Sequence, residues 1–173
     1  MIMANDNMRV IRIEKVTVNI GVGSPGDRLE HAKNLISRLT NDRKPVETQA
    51  KNRNPVFKLR KGMPIGVKVT LRGDSAKAFV EKALTARKRL IKESSFDKQG
   101  NFAFGVPEYI DFPGAKYDPT IGMFGFDVCV SLTRPGRRVT LRRLRSGKIG
   151  KFHRISKEEA IEFAKTTFKA KVE

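Results

Sequence analysis

The sequence predicts a single α+β domain over residues 1–173, with an antiparallel sheet packed on helices and one sheet face left to solvent or a partner. Three observations predict it. Separate stretches alternate apolar and polar residues as half-buried strands do. Other stretches carry apolar residues at helical spacing. The order is strand, helix, two strands, helix, several strands, helix, so helices do not follow every strand and a doubly wound parallel sheet is disfavoured.

The first strand spans Lys15 to Val22, with Val16, Val18, Ile20 and Val22 on one face and Thr17, Asn19 and Gly21 on the other. Ser24-Pro25-Gly26-Asp27 then reads as a helix start, with Ser24 as cap and Pro25 in the first turn. Leu29, Ala32, Ile36 and Leu39 form that helix's apolar stripe, and Asn41-Asp42 ends it. Pro45 to Ala50 is a second strand. Lys51 to Pro64 has no period and contains Pro55, Gly62 and Pro64, so it is a loop. Ile65, Val67, Val69 and Leu71 alternate with Gly66, Lys68, Thr70 and Arg72 in another strand. After Gly73-Asp74 a helix runs to about Ile91, with Ala76, Phe79, Val80, Ala83, Leu84, Leu90 and Ile91 inward.

Phe102 to Phe126 holds seven of the thirteen aromatic residues, together with three prolines and several glycines. It reads as short strands and a long loop pinned by aromatics. Phe124 to Leu132 alternates again. Arg134-Pro135-Gly136 is a turn, and Ser156-Lys157-Glu158-Glu159 is a capping box opening a final helix with Ile161, Ala164, Phe168 and Val172 on one face. Residues 1–8 read as flexible.

Charge points to the partner. There are 36 Lys+Arg against 18 Asp+Glu, a formal net charge of +18. The excess is concentrated in two blocks. Arg134 to Lys157 holds ten cations and no acid; Arg43 to Lys68 holds eight against Glu47 alone. Such a surface repels itself unless a polyanion covers it, and phosphate neutralisation is its usual use. The plainer reading is a solvated basic face. The non-core side of the strands adds Thr17, Asn19, Lys68, Thr70, Arg72, Ser131 and Thr133, hydrogen-bonding groups flanked by cations that suit sugar and phosphate contacts. Ordinary polar alternation on a solvated sheet is the alternative.

Other function classes find little support. No apolar run approaches the ~18 residues of a membrane span, and the N-terminus lacks a secretion-signal stretch. The single cysteine, Cys129, fits a reducing cytoplasm and reads as a small core residue. With only His31 and His153 it cannot build a zinc site. Neither metal nor cofactor is expected. One decoy stands out: Gly21, Gly23 and Gly26 fit G-x-G-x-x-G between a strand and a helix, and Glu47 stands near where a ribose-binding acid belongs. No catalytic histidine cluster or second nucleotide motif accompanies it, so dinucleotide-enzyme chemistry is a remote alternative.

The runs KVTVNIGVG, KPVETQAKNRNPVFKLRKGMPIGVKVTLRG and SFDKQGNFAFGVPEYIDFPGAKYDPTIGMFGFDV resemble the L-five family of large-subunit ribosomal proteins. The match covers roughly residues 9–133, and the ending RPG…GKIGKFHRISKEEAIEF resembles the archaeal and eukaryotic branch, in its archaeal form. The resemblance implies a curved antiparallel sheet with a polar face open to RNA. It implies a protein of the cytoplasmic ribosome that binds 5S ribosomal RNA and joins it to large-subunit RNA in the central protuberance. Thr17, Asn19, Gln49, Lys68, Thr70 and Arg72 would then face 5S RNA. The loop bearing Lys51, Arg53, Asn54, Phe57, Lys58, Arg60 and Lys61 would reach P-site transfer RNA. Arg137, Arg138, Arg142, Arg143, Arg145, Lys148, Lys151 and Arg154, in the basic segment 134–155, would add ribosomal RNA contacts. The other 5S-binding protein, of the L-eighteen family, and a small-subunit head protein near the Tyr109–Thr120 loop are implied partners. A free RNA-binding or RNA-chaperone protein shares the charge argument without a fixed partner.

Overall fold

The structure, a computed structural model, describes residues 6–173. Of the segment that reads as flexible, residues 1–5 lie outside the described residues, and 6–8 belong to a helical turn, α1 (Asp6–Arg9). The chain continues through β1 (Arg12–Gly21), α2 (Asp27–Leu39), β2 (Val46–Gln49), β3 (Pro64–Leu71), α3 (Asp74–Ala86), β4 (Leu90–Ile91) and β5 (Phe102–Val106). It ends with β6 (Phe126–Thr133), α4 (Arg138–Leu141), α5 (Lys157–Phe168) and β7 (Lys171–Val172).

Five of these strands form one antiparallel sheet in the order β2-β3-β1-β6-β5. Its inner face is apolar because the alternation puts every second residue there. Val16, Val18 and Ile20 of β1, Val67, Val69 and Leu71 of β3, and Phe126, Val128, Val130 and Leu132 of β6 are all buried. Helix α2 packs on β3, and α3 lies across β1 and β6. They contribute Leu29, Ala32, Leu35 and Ile36, and Ala76, Phe79, Val80, Ala83 and Leu84. The aromatic-rich stretch closes the core: Phe79 and Phe112 rings are 5.0 Å apart, and Phe112 meets Phe126 edge-on at 5.9 Å. Tyr109 is fully buried, and its hydroxyl accepts a hydrogen bond from the Asp118 N–H at 3.0 Å. One buried ring thereby holds both ends of the loop, as the aromatic content predicts.

Local signals fail where a long-range partner or a special backbone angle decides. Helix α2 starts at Asp27, and its cap is Gly26, not Ser24. Gly26 has φ 125°, a conformation open to glycine, and its carbonyl accepts from Leu29 and Glu30. Helix α3 stops at Ala86 although the apolar spacing continues to Ile91. Lys88 and Arg89 turn the chain with φ of 56° and 58°, and Leu90-Ile91 pairs in parallel with β7. That partner lies about eighty residues away, so no local pattern announces it. For the same reason Val172 belongs to a strand, not to α5. The capping box of α5 forms as the sequence predicts: Ser156 Oγ accepts from the Glu159 N–H, and Glu159 accepts in return from the Ser156 N–H.

The dinucleotide reading is overturned by the topology. A Rossmann site needs a parallel strand-helix-strand unit. β1 pairs antiparallel on both sides, and β2, the strand after α2, pairs with β3. Glu47 is bound to Lys33 at 2.6 Å. The glycine turn ends β1, where the N–H groups of Val22 and Gly23 both donate to the Ile65 carbonyl.

Candidate RNA interface

The uncovered face of the sheet is built by register. Thr17 lies opposite Thr70 on one side and Cys129 on the other, and Cys129 opposite Ala103. The next row of this face reads Val46, Lys68, Asn19, Asp127, Gly105. Cross-strand neighbours in such rows stand about 4.5–5.5 Å apart. Around Thr17, Asn19, Thr70 and Cys129 the rows present short side chains, so a ligand can come close to the backbone there, while Lys68 stands exposed within the second row and Arg72 just past the end of β3. Arg72 also reaches the Glu14 carbonyl at 3.5 Å. Gln49 comes into line through an irregularity: after Thr48 opposite Gly66 the register skips, and Gln49 lies opposite Pro64.

All six residues expected to face 5S RNA thus share one face or its edge. Three more belong to it. Arg12 and Lys15 pair with Thr133 and Ser131 on the same side. Lys15 is signalled by the sequence, two residues before Thr17 in a strand that repeats every second residue, whereas Arg12 reaches this side only through the register shift between Ile13 and Lys15, which alternation does not announce. Cys129 is the third. The sequence pattern suggests core for it, but it is exposed on this face, because the apolar parity of β6 belongs to Val128 and Val130. Partial burial first, and the Asp127 carboxylate second, push its thiol above the ordinary value, so it is a poor nucleophile.

The loop between β2 and β3 is more ordered than its composition suggests. Asn54 and Leu59 exchange backbone hydrogen bonds, and the Asn54 carboxamide oxygen accepts from the Val56 N–H. Lys58 turns the tip with φ 56°, and Ala50 bonds Met63 and Gly62 at the base. Phe57 is 70% exposed at that tip. Lys51, Arg53, Lys58, Arg60 and Lys61 are exposed around it, and the Asn54 side chain is spent on holding the turn.

The basic segment divides into anchors and free cations. Arg134 is buried, donates to Glu159 at 2.7 Å and to the Arg154 carbonyl at 3.3 Å, and so ties the segment to α5. Burial opposes ionisation of Glu159, but the Ser156 N–H and Arg134 outweigh it and hold the carboxyl below its ordinary value. Arg137 sits 2.8 Å from the half-buried Glu14 carboxylate, which removes it from the free set. Arg142 Nε donates to the Arg145 carbonyl. Arg138, Arg143, Arg145, Lys148, Lys151 and Arg154 are exposed with no ion pair among the described residues.

Two family models match nearly end to end: "Ribosomal protein L5" over residues 6–60, and the model of the same ribosomal family's C-terminus over residues 64–169. The chain belongs to the ribosomal protein L5 family. It is 52% identical over 168 residues to a Methanococcus vannielii protein named large ribosomal subunit protein uL5, covering 95% of this chain and 92% of that one. A Sulfurisphaera tokodaii protein of the same name is 54% identical over 162 residues, covering 93% and 91%. These are archaeal relatives, as the ending of the sequence suggests, and the family is one of ribosomal structural proteins, not enzymes. Among the described residues of this L5-family chain, no helix is long and apolar enough to cross a membrane, and no group of His, Cys, Asp and Glu is arranged to hold a metal ion.

Proposed function

We propose that this chain is a structural constituent of the large subunit of the cytoplasmic ribosome, binding 5S RNA on the open sheet face and linking it to large-subunit RNA. The observation that carries the reading is the register. It collects Thr17, Asn19, Lys68 and Thr70 on one uncovered face of small polar side chains bordered by cations. Cations at the rim neutralise phosphates, and the short hydroxyl and amide groups bond riboses and base edges brought close to the sheet. Asp127, an acceptor beside Asn19, suits a ribose hydroxyl or a base amino group and discourages a phosphate.

The variant Asn19→Ala with Thr70→Ala tests this face. Each lost bond is expected to weaken 5S binding by about 1–3 kcal/mol where it leaves a partner group unsatisfied. The fold should persist, because neither side chain points to the core. Filter binding and circular dichroism read the two effects, and a double variant that binds like the parent removes the sheet face from the reading.

The β2–β3 tip is proposed as a second, separable element that reaches P-site transfer RNA. Its support is the exposed Phe57 ringed by cations, the pairing of an aromatic with phosphate ligands that suits single-stranded or looped RNA. Replacing residues 52–61 by a short Gly-Ser link should leave 5S affinity within about threefold, since distant sites act additively. Ribosomes carrying it should release P-site transfer RNA faster, and unchanged release would detach the tip from function.

The Tyr109–Thr120 loop, with Ile110 and Tyr117 exposed, is proposed to face the small-subunit head, and a protein of the L-eighteen family to share the 5S RNA. Sedimentation separates this reading from a free RNA chaperone. Stable migration with large subunits supports the structural role, and protein found only at the top of the gradient supports the chaperone.

A further inference from the structure

Phe152 is 94% exposed, more than any other large apolar residue described. It is not on a loose tail. It occupies the middle of a single helical turn, residues 151–153, whose two sides are fastened. On one side, His153 Nε2 lies 2.9 Å from the Pro135 carbonyl; that oxygen can only accept, so Nε2 carries the proton. On the other, Ile155 is buried, and the buried Arg134 guanidinium holds the Arg154 carbonyl. The His153 and Arg154 N–H groups close the turn on Gly150 and Lys151. Both flanks are thus anchored, and the ring between them is aimed away from the fold.

The charged neighbours of the ring along the chain are all cations. Lys148, Lys151 and Arg154 are exposed, and no acid occurs between Arg134 and Lys157. A protein pocket for Phe152 would have to accept these charges too, whereas RNA supplies both a flat apolar face and phosphates. In a duplex the base faces are already stacked on each other. An exposed ring bordered by cations therefore fits an unpaired base, stacked on the ring while the flanking phosphates meet the cations.

We propose that Phe152 is a preorganised stacking platform for one unpaired nucleotide of ribosomal RNA. The proposal rests on the reading of residues 134–155 as an RNA-contacting segment and names what that segment recognises. The anchors matter because a backbone already fixed in the free protein leaves only the torsions of the Phe152 side chain to be ordered on binding.

The test uses large subunits stripped of this protein and rebuilt with variants. Phe152→Ala should rebind the stripped subunits more weakly by roughly 5- to 150-fold, the cost of losing one stacked base. Phe152→Tyr should rebind like the parent, and Phe152→Leu should resemble Phe152→Ala, because leucine keeps apolar area but has no π-face. Leucine rescuing as well as tyrosine, or alanine rebinding like the parent, overturns the platform. A photoreactive phenylalanine analogue at position 152 should crosslink to one unpaired ribosomal RNA nucleotide. A crosslink to a protein or to a base-paired stretch, or none at all, overturns it as well. Binding of the same variants to isolated 5S RNA measures the sheet face, so failure of the platform and failure of the proposed 5S role give different results.

Discussion

The complex with 5S RNA should loosen steeply as salt rises. If about six to ten phosphates are neutralised, affinity should fall by roughly 10³ to 10⁵ between about 50 and 200 mM salt on the duplex-DNA scale, and somewhat less for RNA. The structure says which cations can contribute. Lys33, Arg38, Arg134, Arg137 and Lys157 are engaged with Glu47, Asp118, Glu159, Glu14 and Glu93. Phosphates would have to compete with those carboxylates. Exposed and unpaired among the described residues are Arg12, Lys68 and Arg72 on the sheet face or its margin; Lys51, Arg53, Arg60 and Lys61 beside the β2–β3 tip are equally unpaired, but as part of the proposed transfer-RNA element they should leave the 5S slope unchanged. Neutralising Lys68 or Arg72 should lower the salt slope by about one each, while neutralising the engaged Arg38 should leave it unchanged. Binding measured across a salt series checks both statements. A flat response would mean that phosphate neutralisation is not the main source of affinity.

Much of this surface is legible in the sequence because strand parity is a local property. Once Val16, Val18 and Ile20 are assigned inward, Thr17 and Asn19 must face outward, and the same holds for Lys68 and Thr70 beside Val67 and Val69. Only the pairing between strands is hidden, and pairing is what turns four scattered residues into a patch. Cys129 shows what is lost when residue type is read ahead of parity: a small thiol in an apolar run suggests the core, yet its neighbours Val128 and Val130 take that side. The division of the basic segment is hidden more deeply. Arg134 and Arg137 look like their neighbours in sequence, and only the folded chain brings Glu159 and Glu14 to them. The early end of α3 is similar, since its cause is a two-residue pairing with the far C-terminus. Charge density therefore names the class of partner, while tertiary contacts decide which charges remain available to it.

Those contacts also identify the most sensitive packing position near the basic segment. Gly100 is buried with φ 79°, and a Cβ there would lie 2.5 Å from Ile155 Cγ2, 3.0 Å from Ile155 Cβ and 3.5 Å from Ala160 Cβ. Gly100→Ala therefore combines two costs. The left-handed backbone costs an alanine about 1–2 kcal/mol. Overpacking against Ile155, which is buried where the segment enters α5, adds about 1–3 kcal/mol. The sum of roughly 2–5 kcal/mol corresponds to a melting temperature lower by about 4–20 °C in a chain of this size. Gly114→Ala separates the two costs, because Gly114 has φ 92° and nothing within 4 Å of the added atom. It should show the backbone cost alone. The difference between the two variants then measures how firmly Ile155 is held, and with it the far anchor of the turn that presents Phe152. Equal melting temperatures for Gly100→Ala and Gly114→Ala would mean that Ile155 moves freely and that the segment is tied down through Arg134 and His153 instead.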